Sequence, residues 1–481
     1  VRRRAADTGV ARGEEPSDRK PLLGLCPIGK FVFSHEEALR YKTRLQNLLD
    51  EWHCPFVDLE GVLPDGIVRS QSHVDAVVEH FKTAQVDCLF MPHCNFGTEG
   101  AVGAIARKLG LPVLLWGPRD EAPLPNGQRL RDSLCGLFAS SKVLHKLGVP
   151  FTYIENCSIE APDLREGLDV FLRAVKVAGV FRKGTRIALV GPRIDFFWTT
   201  IVNESELLHR YNVEILPVDM ADFIRDVKNR ADEGQADYEE QARALRQRLR
   251  VEGFEDDAAL VNVLAAADQL RALGGDHGLD GFAFRGFTSV VDELGAYCSH
   301  AESLVAEDYA FGYECDIHGA LSDLILRRAS FDAAPAHLTE FTVRHPENDN
   351  AALLWHEGAP LSLCHPDEVP RLGDHWILPS PLPGMNHFRL KDGDLTLARF
   401  DGDHGLYKLA FGEGTTIAGP YTLNNYCWIE VNDWPRWERQ LMEGPFIHHV
   451  AMAYGRYASA LREACKYIDD LDPLELGATA P

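Results

Sequence analysis

No run in this 481-residue chain approaches the roughly 18 apolar residues needed to cross a bilayer, and the opening Val1-Arg-Arg-Arg-Ala-Ala-Asp lacks the apolar stretch of a secretory signal. A cytoplasmic protein is expected. The eleven cysteines are odd in number and nowhere form a Cys-x-x-Cys pair, which argues against a zinc ribbon and against a disulfide framework. Most should be reduced, small core residues. Positive charge is scarce: 49 Lys and Arg against 72 Asp and Glu leave −23, which repels phosphate backbones and anionic lipid. Neither nucleic acid nor a membrane is expected as a partner. The chain also shows no repeat at solenoid period and no low-complexity tract.

What is present is an ordinary globular composition, 45% hydrophobic, in a chain long enough for two to four domains of about 100–200 residues. Residues 1–20 carry Arg, Glu, Asp, Pro and Gly with almost no large apolar side chain and are expected to form a disordered tail. Short apolar runs then alternate with helical periodicity: strand 30–33, helix 36–52, strand 86–91, helix 99–109, strand 112–116. That order predicts a parallel sheet covered on both faces. A second such unit opens with strands 185–190 and 213–217, and the charged stretch 223–251 is expected to be a solvated helix. From about residue 333 short β-like runs at 395–400 and 405–410 predict a barrel or sandwich closed by a terminal helix over 453–469. The predicted organisation is a tail (1–20), an N-terminal α/β domain (21–178), a second α/β domain (179–332) and a β-rich C-terminal domain (333–481).

Three motifs carry chemistry. In Gly312-Tyr-Glu-Cys-Asp-Ile-His-Gly-Ala-Leu-Ser322, apolar positions at helical spacing follow Glu314, so a strand hands over to a helix there. Glu314 and Asp316 then either line a site or merely favour a helix N-terminus. Glu340 lies in His337-Leu-Thr-Glu-Phe-Thr-Val343, where by itself it reads as a surface charge on a strand. His448 and His449 stand in Glu443-Gly-Pro-Phe-Ile-His-His-Val-Ala-Met-Ala-Tyr-Gly455, and neighbours on a strand point to opposite faces. Two carboxylates and an imidazole form a donor set suited to Mn²⁺ or a similar divalent ion.

The first and last of these motifs, with Leu354-Trp-His-Glu-Gly-Ala-Pro360 between them, resemble the signature segments of the L-fucose isomerase and L-arabinose isomerase superfamily. The resemblance runs from about Gly24 to Leu474. It implies two doubly wound, flavodoxin-like α/β domains followed by a β-rich, barrel-like domain, and an aldose–ketose isomerase working through an enediol with Mn²⁺, Co²⁺ or Mg²⁺. It makes Glu314 and Glu340 both metal ligands and acid/base groups, His449 the third ligand, and Asp316 a supporting residue. His356 takes a metal or substrate role, and His448 remains the alternative to His449. It also implies a homo-oligomer, a trimer or hexamer, in which one subunit's N-terminal sheet edge completes a neighbour's pocket. Pro92-His-Cys-Asn-Phe-Gly-Thr-Glu-Gly100 and Trp116-Gly-Pro-Arg119 lie on that edge, so His93, Trp116 and Arg119 are candidate sugar contacts.

Sugar hydroxyls are gripped by aromatic faces and amides, and Asn424-Asn-Tyr-Cys-Trp-Ile-Glu430 offers Asn425 and Trp428; a core strand with an interior Trp is the competing reading. The expected substrate is a free deoxyhexose, pentose or modified aldose. The same site on an acidic or sulfonated sugar, an epimerase, and a non-catalytic sugar-binding regulator are the alternatives. Many shorter relatives have a Cys-Trp-Pro-like run where this chain has Phe284-Arg-Gly-Phe-Thr-Ser289, which leaves the sugar open.

Overall fold

The computed structural model describes residues 20–377 and 382–478. Of the tail expected at 1–20, residues 1–19 lie outside the described residues. Strands β1 (Leu23–Leu25), β2 (Phe56–Val57), β3 (Cys88–Pro92), β4 (Val113–Trp116) and β5 (Phe151–Tyr153) form a parallel sheet ordered β2-β1-β3-β4-β5. Its central strands are continuous apolar runs because both faces are covered. Leu89, Met91, Val113 and Leu115 face one apolar cluster with helices Val74–Thr83 and Glu99–Leu109; Phe90, Leu114 and Trp116 face another with helices His35–Glu51 and Pro162–Arg182.

A second parallel sheet holds β6 (Thr185–Val190) and β7 (Val213–Val218); β8 (Arg250–Val251) leaves it, and β9 (Gly281–Phe284) and β10 (Ala310–Tyr313) complete it in the order β10-β9-β6-β7. The remaining strands are β11 (His337–Arg344), β12 (Ala351–His356), β13 (Arg371–Asp374), β14 (Pro383–Arg389), β15 (Asp394–Asp403), β16 (Leu406–Ile417), β17 (Asn425–Val431), β18 (His449–Tyr454) and β19 (Leu471–Glu475). Six of these close on themselves as an antiparallel barrel, β16-β15-β18-β11-β12-β17 and back to β16. Closure leaves those strands no free edge. Outside the ring, β19 adds to β16 while β14, β13 and β8 extend from β17.

Helix Ile317–Ala329 joins the two halves. Only Arg328 on it is less than fully buried, and it packs on β9 and β10 on one side and on β11, β15 and β18 of the barrel on the other. Polar residues on it are bonded as well: Ser322 Oγ accepts the Phe400 N–H at 2.9 Å, and Asp323 Oδ1 accepts from Arg327 at 2.5 Å. The barrel also reaches the first sheet, since Tyr467 donates to the Val113 carbonyl at 3.0 Å and Thr152 to Glu463 at 2.7 Å.

Three local expectations are corrected. Residues 30–33 form a turn with Phe31 and Val32 exposed, because the strand position belongs to the fully buried Leu23–Leu25. The stretch 223–251 is two helices, Met220–Glu233 and Gln235–Arg248, parted at Gly234, and it buries Phe223, Val227, Tyr238 and Leu245 rather than standing in solvent. The terminal helix is only Ala458–Cys465: β18 runs on to Tyr454, Gly455 at φ 123° ends it, and β19 follows the helix.

Gly312 fixes the turn that leads into the joining helix. A Cβ there would stand 2.1 Å from the Asp316 carbonyl oxygen and 2.9 Å from the Ala320 nitrogen. Gly312→Ala should therefore cost about 1–3 kcal/mol of stability by overpacking. Urea unfolding measures this, and an unchanged midpoint would show that the close approach does not constrain the turn.

Candidate metal centre

Glu314 is placed by backbone that few residues adopt. It and Cys315 follow β10 with φ of 57° and 61°, left-handed geometry that costs non-glycine residues roughly 1–2 kcal/mol each. The surrounding bonds hold it: Cys315 N–H donates to the Phe284 carbonyl at 3.1 Å and Asp316 N–H to Tyr313 at 3.0 Å. Asp316 then caps helix Ile317–Ala329 by accepting the Gly319 N–H at 2.8 Å. The result turns the Glu314 side chain out of the second sheet toward the barrel.

The barrel supplies the partners from three neighbouring strands. Glu340 on β11 is directly opposite His449 on β18 and Trp355 on β12, and His356 ends β12. One donor atom from each of Glu314, Glu340, His356 and His449 lies within 4.8 Å of all the others. His449 Nε2 is 3.3 Å from Glu314 Oε2 and 3.5 Å from Glu340 Oε1; His356 Nε2 is 3.9 Å from Glu340 Oε1. Glu340, which by itself reads as a surface charge, has a side chain only 16% exposed, and it lies beside Glu314 and His449 as the resemblance implies for a ligand.

Asp316 organises this cluster. Fully buried, it accepts both Arg399 Nη atoms and the His449 Nδ1–H at 2.9 Å. Burial alone would raise its pKa, but Arg399 and His449 hold the carboxyl far below the usual range. Arg399 Nε in turn donates to Asp401 at 2.8 Å, and Asp401 accepts from His318 at 3.1 Å. Because Asp316 accepts from Nδ1, Nε2 is the His449 atom left facing the two glutamates, and it is the atom whose lone pair the neutral ring would offer a cation. His356 is set the opposite way. Its Nδ1 accepts the Glu357 N–H at 2.8 Å, which leaves its proton on Nε2 and makes that atom a donor aimed into the cluster.

The donor set fits a divalent cation. The Nε2 atom of His449 is buried without a hydrogen-bond partner, and an unsatisfied buried polar atom calls for an explanation such as an ion. Glu340 is held well below its ordinary pKa: burial opposes this, and the imidazoles of His448 and His449 beside its carboxylate prevail. Burial works against charge on His449 too, yet Asp316, Glu314 and Glu340 hold its pKa well above the ordinary value. Two glutamate oxygens and one imidazole nitrogen suit Mn²⁺, and the ring setting gives His356 the part of a donor rather than a ligand.

The other expected residues separate. His448 lies at the rim, its side chain half exposed, 3.3 Å from Glu340. Asn425 sits opposite His356, but its amide is engaged by the Ala359 N–H and the Asn386 carbonyl. Trp428 packs with Leu353 and Tyr426 and donates to the Pro420 carbonyl at 2.8 Å, away from the cluster. Trp116 is buried in the core with Nε1 on Cys157 Sγ, and His93 is buried with Nε2 2.7 Å from Ser140 Oγ. Both therefore have structural employment. Arg119, on the same edge, is exposed.

Three participants escaped the sequence reading. Arg399 had a signal, a cation inside the apolar run of β15. Glu357 stood beside His356 in a motif already singled out. Glu302, on the short helix Ser299–Val305, had none. Glu302 and Glu357 are buried with no cation paired to either among the described residues. Burial first, then the charge of Glu314, pushes Glu302 up to about 8; burial and then Glu302 raise Glu357 well above its ordinary value.

Two family models match this chain: "Fucose/sulfoquinovose isomerase, N-terminal domain" over residues 24–182 and "L-fucose isomerase, C-terminal domain" over 384–471, the latter including His449. The class that these matches define is that of the sugar isomerases. The chain belongs to the fucose isomerase-like family of aldose–ketose isomerases. It is 26% identical over 443 residues to sulfoquinovose isomerase of Alkalicoccus urumqiensis, covering 91% of this chain and 95% of that protein. Sulfoquinovose isomerases of Priestia aryabhattai and Priestia megaterium are 25% identical over 445 residues, with the same shares covered. Among the described residues no helix is long and apolar enough to cross a membrane.

A buried acid with a raised folded-state pKa lends stability below its unfolded value that is lost as pH rises through the folded value. For Glu302 that window runs from about 4.5 to about 8. Glu302→Gln should therefore match the parent near the bottom of the window and unfold at a higher temperature than the parent above its top, both compared with chelator present. Parallel melting curves across the window would refute the assignment.

Proposed function

We propose that the chain is a divalent-cation-dependent aldose–ketose isomerase that interconverts a free aldose with its ketose through an enediol. The observation that carries this is the convergence of Glu314, Glu340, His356 and His449 within 4.8 Å. Isomerisation moves a proton between adjacent carbons, so it needs a base on one and an acid on the other. Glu314 comes from the sheet edge and Glu340 from the barrel wall, so the two carboxylates approach from different sides. His356, with its proton on Nε2, donates to a sugar oxygen. A divalent ion held by Glu314, Glu340 and His449, Mn²⁺ first and Co²⁺ or Mg²⁺ otherwise, supplies several kcal/mol of stabilisation to oxygens that gain negative charge. A protein that only binds a sugar has no use for two proton carriers, which disfavours the regulator.

The relatives' activity makes sulfoquinovose, a sulfonated aldose, the first substrate to assay, ahead of deoxyhexoses and pentoses. The same reading includes doubly wound N-terminal domains, supported by the apolar clusters on both faces of the first sheet, and a closed homo-oligomer, a trimer or hexamer. Phe31, Leu134 and Phe138, exposed near the first sheet's edge, support association there.

Glu314→Gln and Glu340→Gln should each lower turnover by about 10²-fold or more while the chain stays folded. A variant within about tenfold of the parent would remove that residue from the proton path. Chelation should abolish ketose formation, and Mn²⁺ or Co²⁺ should restore it better than Zn²⁺. Full activity in metal-free protein would overturn the proposal.

A further inference from the structure

The carboxyl edge of the second sheet carries two arginines that, among the described residues, no carboxylate neutralises. Arg285 directly follows β9, Arg193 lies three positions past the end of β6, and Glu314 directly follows β10. In the sheet β10, β9 and β6 are neighbours, so at about 5 Å per strand the backbone at Arg285 and Arg193 stands roughly 5 and 10 Å from that of Glu314. The three turns are tied together. Arg285 N–H donates to the Val190 carbonyl at 3.1 Å, and the Cys315 thiol to the Pro192 carbonyl at 3.5 Å.

Among the described residues neither guanidinium has an anionic partner. Arg285 Nη1 reaches only the Pro192 carbonyl, at 3.4 Å, and its Nε is buried with no hydrogen-bond partner. Arg193 Nη1 donates to the carbonyls of Ile194, Asp195 and Phe197 at 2.8, 3.4 and 3.0 Å. Several other half-buried arginines of this acidic chain, Arg69, Arg173 and Arg186 among them, are held by Asp or Glu. A partly buried guanidinium facing carbonyls alone has unused donors in the planar arrangement that suits a tetrahedral oxyanion.

We propose that Arg285 and Arg193 bind the terminal anionic group of the substrate, a sulfonate, while its carbonyl end lies at Glu314 and Glu340. The assignment rests on the isomerase reading and adds to it the residues that set specificity. A neutral sugar would leave both guanidinium groups without an anion, so the edge discriminates by charge as well as by shape.

Calorimetric binding to the Mn²⁺-loaded protein tests this without turnover, using three hexitols that cannot isomerise: a 6-sulfonate, a 6-phosphate and the neutral 6-deoxy compound. The wild type should prefer the sulfonate over the neutral compound by about tenfold or more. Arg285→Gln and Arg193→Gln should each erase most of that preference and leave neutral binding unchanged, with Arg285→Lys intermediate as a control for folding. A preference that survives both Gln changes, or no preference in the wild type, overturns the proposal. Tighter binding of the phosphate than the sulfonate overturns the sulfonate as the occupant. Arginine-dependent sulfonate binding in a protein that converts no aldose would uphold the anion site and defeat the isomerase reading instead.

Discussion

The buried Asp316 carboxylate is the constraint on which the rest depends. It sits where the second sheet hands over to the joining helix, and it receives donors from three directions: the helix's first turn, Arg399 on β15 and His449 on β18. A fully buried carboxylate is tolerable only when its oxygens are saturated with donors, and a buried arginine only when it is paired. The parallel sheet and the barrel therefore cannot shift against one another without leaving a charge stranded. The geometry of the proposed site and the packing of sheet on barrel are set by the same bonds.

From that anchor the site's division of labour follows. Asp316 fixes the His449 tautomer; the Glu357 N–H fixes the opposite tautomer of His356. Two imidazoles that look alike in sequence thus present a lone pair and a proton to the same small volume. The strained backbone at Glu314 and Cys315 is held by the packed turns of β9 and β10 and brings one glutamate across to meet the barrel. Strain of this kind persists only where the surroundings over-determine it, and it concentrates at functional sites.

Much of this was legible in the sequence, and the parts that were not have physical causes. The buried strands Thr185–Val190 and Val113–Trp116 and helix Glu99–Leu109 announce themselves because continuous apolar runs and 3.6-residue periodicity are local signals. Residues 30–33 misled because three apolar side chains in a row look alike whether they enter a sheet or cover a loop. The barrel's closure depends on β18 meeting β11 and β15 after long excursions of the chain, which no local pattern encodes. Glu314 could be placed because it lies at a strand–helix junction. Glu340 and His449 are 109 positions apart and meet only through strand register, so their pairing came from resemblance to a family rather than from the residues themselves. Trp428 and Trp116 show the cost of reading residue type alone, since an aromatic near a site is as readily core as ligand.

The most direct measurement is a Mn²⁺ titration, followed by electron paramagnetic resonance, of the parent chain and of Asp316→Asn in protein shown by circular dichroism to remain folded. The account predicts one tight site per chain in the parent and an affinity lower by about 10–100-fold in the variant, because His449 loses the carboxylate that orients it. Equal Mn²⁺ affinity in the two proteins would contradict it, for the metal centre would then not depend on the Asp316 link between sheet and barrel.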